Sequence, residues 1–454
     1  MHEARSSSGR KRTMLIVVLT VGVVAAVLAA TASAKPAVKT ISVAIVANPQ
    51  MQDIASLTPS LFTASSGIKV NYTILDEGKL REVTTRDVGS GGKAFDAVMI
   101  GPYEAPQFGT AGLLQDLTPL AKADKTYNYN DLIPAVRNAL SANGHLYASP
   151  FYGESSFLMY RKDVLAKDGV TMPLHPTWQQ VATIAQKINT PSMAGICLRG
   201  KPGWGDLGAS FTTVLNTFGG TWWSSTASGQ PAAAQIDQPA FKNALDFYAN
   251  LVKSAGEKDA ANSSFNECLA AYQAGKVSMW YDATVAAGLL EAANSPVKGK
   301  NGYAFAPVDK TKASGWLWTW ALAIPKSSPD PTDAWKYISW ATSAQYIKAA
   351  GTHTKGGWPA IPPGTRVSTY AIPQYKAAAK AFASITLDAM KAAPITNPGT
   401  TKRPGLPGVQ YVGIPQFQDV GNRCTQLFSS VIAGTMKDTS AISQCQEIAS
   451  QAIK

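Results

Sequence analysis

Short apolar segments rich in β-branched residues alternate with segments of helical spacing between residues 41 and 100. The strand-like segments are residues 41–46, 68–75 and 95–100, and the helical segments between them are residues 52–65 and 79–89. Strands that alternate with helices of this length form βαβ units, in which the strands lie in a largely parallel sheet. This alternation predicts an α/β fold.

The alternation resumes after residue 150 around a second set of apolar segments. We predict strands at 156–160, 194–198, 277–280 and 315–324, and helices at 177–188, from Pro239 onward, and at 265–274, 331–343 and 374–390. The 454-residue chain leaves 420 residues after residue 34, which is too many for one compact core. We therefore expect two lobes.

The first 34 residues have the pattern of an export signal. Four basic residues lie within residues 1–13, an apolar run covers residues 14–30, and Ala32-Ser33-Ala34 follows. This combination is typical of a cleaved secretory signal peptide. An uncleaved membrane anchor is the alternative, because the apolar run is long for a signal. No cysteine near the cleavage site could accept a lipid anchor.

The chain is basic, with a formal net charge of +12 at pH 7. A basic balance can indicate binding to nucleic acid or to an anionic ligand. After residue 34, however, the lysines and arginines are scattered singly and in pairs and form no dense run. This distribution favours a solvated basic surface and no nucleic-acid partner.

The four cysteines are consistent with an oxidising compartment, and they lack the C-x-x-C spacing of zinc or redox sites. Three pairings are compatible with the sequence. We favour Cys424 with Cys445, because this bond closes a short loop around Gly434 between two helical segments, and Cys197 with Cys268 then remains. Four unpaired, buried thiols are the alternative.

Motifs for catalysis are missing from the sequence. The four histidines stand in separate contexts, and the chain has no H-E-x-x-H, G-x-S-x-G or phosphate-loop string. We therefore expect no catalytic residues, no metal site, no cofactor and no enzymatic activity.

Tryptophans suggest a binding site instead, because many lie beside glycines and charged residues. Indole rings pack against the C–H faces of sugars and polyols, and charged or amide side chains fix the hydroxyl groups. Because Trp204 stands in a glycine-rich loop, we expect it to contribute little to the core. Along the predicted strand, alternation sends residues 316, 318 and 320 to one face. Trp335 and Trp340 lie on a helical segment and are assigned to the core. The tryptophans predicted to line the site are Trp204, Trp280, Trp316, Trp318 and Trp358.

Polar side chains follow each of the first three predicted strands, in the loops that open at Ala47-Asn48, Asp76-Glu77 and Gly101–Tyr103. In open parallel sheets, ligands bind at the carboxyl ends of the strands. These loops are therefore predicted to contribute to the site.

Several segments together resemble the family 1 extracellular solute-binding proteins of ABC importers, and in particular the sorbitol/mannitol branch. The Arg199-Gly-Lys-Pro-Gly-Trp-Gly205 string is the most specific of them. The chain departs from the family pattern at Ala47-Asn48 and at Glu77-Gly78-Lys79, which leaves the polyol open. The segments that carry the resemblance are residues 73–87, 95–106, 150–157, 197–205, 279–285 and 316–325.

The resemblance implies a two-lobed periplasmic-binding-protein fold of the class II type, in which each lobe is a mixed sheet flanked by helices and the cleft lies between the lobes. Residues 35–149 with 308–353 would form lobe one, and residues 150–307 with 354–454 would form lobe two. The chain would cross near residues 148–155, 303–309 and 351–356. All four cysteines would then lie in lobe two.

The resemblance also implies a monomeric, periplasmic substrate-binding component that closes on a polyol or monosaccharide and delivers it to the permease subunits of the inner membrane. The alternatives are a binder of an oligosaccharide or another small metabolite and, in a different class, a secreted carbohydrate-active enzyme. The predicted ligand-binding residues are Asn48, Glu77, Tyr103, Glu154, Arg199, Lys201, Trp204, Trp280, Asp282, Trp316, Trp318 and Trp358.

Overall fold

The computed structural model describes residues 39–454, so the predicted signal peptide, residues 1–34, lies outside the described residues. The protein is an α/β structure with two main sheets. Within the described part of the chain no helix is long and apolar enough to cross a membrane. The strands of the two sheets are β1 (Thr40–Val46), β2 (Lys69–Leu75), β3 (Ala97–Ile100), β4 (Ser149–Glu154), β5 (Ser156–Arg161), β6 (Met279–Ala283), β7 (Asn301–Phe305) and β8 (Trp318–Ala323).

The first sheet has five strands in the order β2-β1-β3-β8-β4. Strands β1, β2 and β3 are parallel, as their alternation with helices predicts, and Val43 of β1 pairs with Tyr72 of β2 and with Ala97 of β3. Strand β8 runs antiparallel to both β3 and β4. The result is a mixed sheet whose parallel half comes from the first hundred residues of the chain.

The second sheet has three antiparallel strands in the order β6-β5-β7. Ser155 alone separates β4 of the first sheet from β5 of the second. Its amide donates a hydrogen bond to Thr284 Oγ1 at 3.1 Å, and its carbonyl accepts one from the Thr284 amide at 2.8 Å. The chain thus passes from the first sheet to the second at Ser155, whose backbone is hydrogen-bonded to Thr284. The lobe boundaries remain a prediction.

Helices flank both sheets, and several begin at residues suited to that position. Asp76 caps its helix, because Asp76 Oδ1 accepts from the Lys79 amide at 2.9 Å. Thr177 and Gln180 form a reciprocal capping box. The α-helices of seven or more residues are Pro49–Thr58, Glu77–Ser90, Glu104–Thr110, Trp178–Ile188, Leu207–Thr217, Pro239–Ala255, Phe265–Gln273, Pro331–Ala341, Ala344–His353, Ala383–Ala392, Phe417–Ile432 and Asp438–Gln451.

Shorter elements complete the fold. A π-helical turn, Pro59–Thr63, continues the helix Pro49–Thr58. Two small hairpins pair Ser141–Ala142 with His145–Leu146 and Trp223–Ser225 with Pro231–Ala234. The shorter α-helices are Ala64–Ser66, Thr118–Ala123, Pro134–Ala139, Lys162–Lys167, Ala286–Leu290 and Pro373–Ala378, and the 3-10 turns are Tyr129–Asp131, Ala260–Asn262, Trp358–Ala360 and Val367–Ala371.

Two predicted elements differ from the structure. Residues 194–198 form isolated bridges and no continuous strand. The Ile196 amide donates to the carbonyl of Ala255 at the end of a helix, whereas the Cys197 amide donates to the carbonyl of Met279 in β6. The predicted helix at 374–390 is two helices, Pro373–Ala378 and Ala383–Ala392, with a turn between them.

The structure confirms both favoured disulfides. Cys424 of the helix Phe417–Ile432 is bonded to Cys445 of the helix Asp438–Gln451, and Cys197 is bonded to Cys268. The first bond joins two neighbouring helices. The second joins the segment at 194–198 to the helix Phe265–Gln273.

Candidate ligand-binding site

A cavity lies where the carboxyl ends of β1 and β2 meet strands β4 and β8 and a loop at residues 199–206. The space between its lining residues amounts to about 380 Å³, part of which is open to solvent. Both sheets contribute to the walls. The lining residues are Asn48, Glu77, Arg81, Tyr152, Glu154, Arg199, Trp204, Gly205, Ala209, Phe265, Ala283, Trp316, Trp318, Trp320 and Gln410.

The parallel half of the first sheet supplies one side of this cavity. Asn48 follows β1 closely, and Glu77 begins the helix that follows β2. Because the carboxyl ends of parallel strands meet at one edge of a sheet, these residues converge. Arg81 lies one turn after Glu77, so both side chains project from the same face of the helix Glu77–Ser90.

Indole rings form a second side. Trp316, Trp318 and Trp320 alternate along β8 and the residues before it, so all three reach the same cavity. Trp204 comes from the loop at 199–206, and its ring centroid is 6.0 Å from that of Trp318. Trp318 also pairs with Glu154 across β8 and β4, which places a carboxyl group beside the aromatic wall.

Arg81 joins the aromatic wall to the acidic groups. Its guanidinium carbon lies 3.9 Å from the ring centroid of Trp204 and 4.8 Å from those of Trp318 and Trp320, within cation–π range. Its Nη2 donates to Glu77 Oε1 at 2.7 Å, and its Nη1 donates to Glu104 Oε1.

Gly205 allows the loop at 199–206 to approach these charges. A Cβ atom at this position would lie 2.2 Å from Glu77 Oε1 and 2.7 Å from Arg81 Nε. Any larger residue would therefore push the loop away from the helix Glu77–Ser90. The absence of a side chain is what brings Trp204 against Arg81.

Arg199 is held by a buried, bidentate ion pair. Its Nε donates to Asp282 Oδ2 at 2.8 Å and its Nη2 donates to Asp282 Oδ1 at 2.5 Å, while Glu77 Oε2 lies 3.5 Å from Nη1. Burial acts to lower the pKa of Arg199, but the carboxylates of Asp282 and Glu77 outweigh it and hold the pKa well above its ordinary value. Arg199 is a fixed, charged donor at the cavity.

Glu154 differs from the other acidic groups of the cavity. Its side chain is only 5 % exposed, and its Oε2 has no hydrogen-bond partner in the described part of the chain. Burial raises its pKa well above the ordinary range; Arg199 opposes the shift, and Asp282 and Glu77 add to it.

Neutral polar groups complete the walls. Asn48 Nδ2 donates to the Tyr152 hydroxyl at 2.8 Å, and Gln410 Nε2 donates to the Leu317 carbonyl at 3.2 Å. Gln410 Oε1, Trp204 Nε1 and Trp316 Nε1 have no partner among the described residues. Buried polar groups normally form hydrogen bonds, so these atoms are candidates for bonds to a polar ligand.

Seven of the twelve predicted residues line the cavity, and three more stand behind it. Asp282 holds Arg199, the Trp280 indole donates to Asp282 Oδ2 at 3.1 Å, and the Tyr103 ring packs 4.7 Å from Trp204. These three therefore position residues that line the cavity. The seven lining residues are Asn48, Glu77, Glu154, Arg199, Trp204, Trp316 and Trp318.

Lys201 and Trp358 do not line the cavity. Lys201 is one-third exposed and its Nζ lies 3.6 Å from Asp76 Oδ2. Trp358 belongs to the 3-10 turn Trp358–Ala360 and packs on Gly351, where a Cβ would lie 2.5 Å from the indole.

The expectation that Trp204 contributes little to the core is wrong. The side chain is 1 % exposed and lies in an aromatic cluster with Tyr103, Trp318, Tyr411 and Phe417. Its neighbours come from distant parts of the chain, which is why the loop sequence alone did not reveal them. Trp204 both lines the cavity and packs in the core.

Five polar or aromatic lining residues were not predicted: Arg81, Tyr152, Trp320, Gln410 and Phe265. Periodicity could have found the first three, because Arg81 is four residues after Glu77 on a helix and Tyr152 is two residues before Glu154 on a strand. Trp320 shares the face of Trp318 in the same way. Gln410 lies in a loop rich in glycine and proline, where no periodicity exists to find it.

This arrangement can bind a small polyhydroxylated molecule. Flat indole faces accommodate C–H groups, and fixed guanidinium, carboxyl and amide groups bond to hydroxyls.

Comparisons with known proteins agree with this geometry. A family model described as bacterial extracellular solute-binding protein matches residues 48–348. A mannitol-binding protein from Pseudomonas aeruginosa is 37% identical over 420 residues, which cover 92% of this chain and 93% of that protein.

Solved structures are similar over nearly the whole chain. An ABC transporter solute-binding protein from Agrobacterium vitis S4 with bound D-mannitol is 41% identical, with a TM-score of 0.86, and the match covers 91% of this chain and 98% of that chain. A solute-binding protein from Agrobacterium radiobacter K84 in complex with ribitol shares the fold, at 23% identity and a TM-score of 0.77 over 91% and 98% of the two chains. The chain belongs to the bacterial extracellular solute-binding protein family.

Proposed function

We propose that this protein is the substrate-binding component of an ABC importer and that it binds an acyclic polyol of the mannitol or sorbitol type, or a monosaccharide, in the cavity between its sheets. The observation that carries this proposal is the combination of indole faces with fixed charged and amide groups in one cavity. Such walls suit a molecule with many hydroxyls and few apolar groups.

The ligands of two relatives support the polyol class. The relative from Pseudomonas aeruginosa is called a mannitol-binding protein, and the structure from Agrobacterium vitis holds D-mannitol. Both are more than a third identical to this chain, and both match over nine-tenths of its length.

Ligand binding would work by closure of two lobes. Trp316 and Trp318 come from the side of the first sheet, whereas Arg199 and Ala283 come from the side of the second. A ligand that contacts both sides only when they are close favours the closed state by that difference in affinity. We propose lobes at residues 35–149 with 308–353 and 150–307 with 354–454, with Ser155 in one of the crossings.

The remaining assignments follow from this role. The protein would be exported by a cleaved signal peptide, act in the periplasm as a monomer, and dock on permease subunits of the inner membrane. It would bind its ligand without converting it, so no turnover is expected.

A thermal-shift panel of the mature protein with mannitol, sorbitol, monosaccharides, peptides and polyamines tests the proposal. A ligand that binds only the folded state raises the melting temperature by mass action, about 2.7 kcal/mol of stability at a hundredfold excess over Kd. Mannitol or sorbitol should raise it.

Incubation with the stabilising ligand and with glycosides, followed by chromatography, serves as the companion assay, and every compound should be recovered unchanged. Stabilisation by a peptide or polyamine but by no polyol or monosaccharide would exclude the proposal, and so would conversion of a glycoside.

A further inference from the structure

Acidic groups outnumber cations around the cavity once the carboxylates that stand behind its walls are included. The cations that line it in the described part of the chain are Arg81 and Arg199. Arg81 is paired with both Glu77 and Glu104, and Arg199 is paired with Asp282 through two hydrogen bonds. Both guanidinium groups are therefore already matched by carboxylates before a ligand is considered.

Glu154 is the acidic group left over. It lines the cavity and is 5 % exposed, and no ion pair or side-chain hydrogen bond joins it to another described residue. Arg199, the cation that opposes the rise of its pKa, is engaged with Asp282. Around the two arginines stand two lining carboxyl groups, Glu77 and Glu154, and two that lie behind the walls, Glu104 and Asp282.

We propose that the cavity selects its ligand by charge: it accepts an amino polyol, whose ammonium group pairs with Glu154, as well as a neutral polyol, and it rejects sugar acids. This inference rests on the proposed function, because it takes the polyol backbone as given. Glu154 is the residue that determines the selection.

Electrostatics in a buried site give the reason for each half of the proposal. Burial disfavours the ionised form of Glu154, and an ammonium group beside it would restore that form through a charge-assisted hydrogen bond. The carboxylate of a sugar acid would be buried beside Glu154 with no uncommitted cation to compensate it, and an unpaired buried charge is strongly unfavourable. A neutral polyol needs only hydrogen bonds, which Glu154 can give or accept according to its protonation.

Calorimetric titration at pH 7 with sorbitol, 1-amino-1-deoxysorbitol and gluconate tests this selection. These three ligands differ at one end of the same carbon chain. The wild type should bind the first two and bind gluconate at least about a hundredfold more weakly. Glu154→Gln, which keeps the shape but cannot ionise, should weaken the amino polyol at least about tenfold relative to sorbitol.

Glu82→Gln is the matched control, because Glu82 is exposed on the helix Glu77–Ser90 and does not line the cavity. It removes the same charge and should leave the ranking of the three ligands unchanged. Melting curves of both variants check their folding. The order in which the wild type binds the three ligands tests the charge selection even if a variant does not fold.

Binding of sorbitol without the amino polyol, gluconate binding as tight as sorbitol, or an equal loss of both ligands in Glu154→Gln would overturn the charge selection and leave the proposed function intact. Failure of all polyols, neutral and charged, together with failure of monosaccharides would overturn both.

Discussion

At the scale of single residues, the Arg199–Asp282 pair fixes the position of the cavity's best-held donor. Asp282 is fully buried, receives two hydrogen bonds from Arg199 and one from the Trp280 indole, and does not line the cavity itself. Its role is therefore to position Arg199. Loss of either partner would leave an uncompensated buried charge.

We predict that Asp282→Asn lowers the free energy of unfolding by about 3–5 kcal/mol, because it leaves the Arg199 guanidinium buried without its carboxylate. Urea denaturation measures this change. The double variant Arg199→Met with Asp282→Leu should be less destabilised, because it removes both charges and keeps apolar volume. Wild-type stability in Asp282→Asn would contradict the role of the pair.

Sequence reasoning located individual residues well where periodicity or strand ends constrain them. Asn48 and Glu77 follow parallel strands, and the tryptophans of β8 share one face, so their convergence was predictable. Trp280 and Asp282 were also expected at the site, but the sequence could not reveal that Trp280 lies behind Asp282 and not in the cavity. That distinction depends on packing between strands and helices that are far apart in the chain.

At the scale of elements, the loop at 199–206 and the helix Leu207–Thr217 that follows it form one functional unit. Asp206 stands directly before this helix, and its Oδ1 accepts a hydrogen bond from the Ser264 hydroxyl. A Cβ atom added at Gly78 would lie 3.6 Å from Asp206 Oδ2, so the Asp206 carboxyl group lies close to the start of the helix Glu77–Ser90. The charged groups around it are Glu77, Arg199 and Lys201.

We predict that Asp206 makes stability depend on pH. Burial, followed by repulsion from Glu77, raises its pKa to about 7 from 3.8, while Ser264, Arg199 and Lys201 oppose the shift. Between these two pKa values Asp206 keeps its proton in the folded protein and has released it in the unfolded chain. The free energy of unfolding therefore falls as the pH rises from about 4 to about 7, and the contribution of Asp206 no longer changes above about pH 7.

Urea denaturation of the wild type and of Asp206→Asn at pH 4 to 8 measures this contribution. The stability of Asp206→Asn relative to the wild type should rise by a few kcal/mol across the window, by about 1.4 kcal/mol per unit of pKa shift. The two proteins should differ least near pH 4, which is the internal control. A difference that does not change with pH would contradict burial of Asp206.

The sequence predicted most elements but missed the helix Leu207–Thr217. All eleven of its residues are buried, so it has no polar face and lacks the alternation that marks a helix on a surface. Strand β4 was also missed as a strand, because Pro150 and Gly153 are unusual in that position. Both elements hold cavity residues, which explains why Tyr152 and Ala209 were not found.

At the scale of the whole molecule, the two sheets meet at a cavity to which each contributes, and the chain passes between them with Ser155 alone separating β4 from β5. The alternation of strands and helices predicted the α/β class and the parallel half of the first sheet. The antiparallel positions of β8 and β4 come from chain segments more than 160 residues apart, and local sequence patterns do not specify such pairing.

Four tryptophans in the cavity provide the most direct measurement of polyol binding. A bound polyol would place C–H groups where solvent or a neighbouring ring now contacts the indoles, so their emission should change. The tryptophans concerned are Trp204, Trp316, Trp318 and Trp320. Titration of the mature protein with D-mannitol should give a saturable change in tryptophan emission that fits one site per chain, with the same Kd by calorimetry. Unchanged emission up to millimolar mannitol, together with no heat of binding, would contradict polyol binding in this cavity.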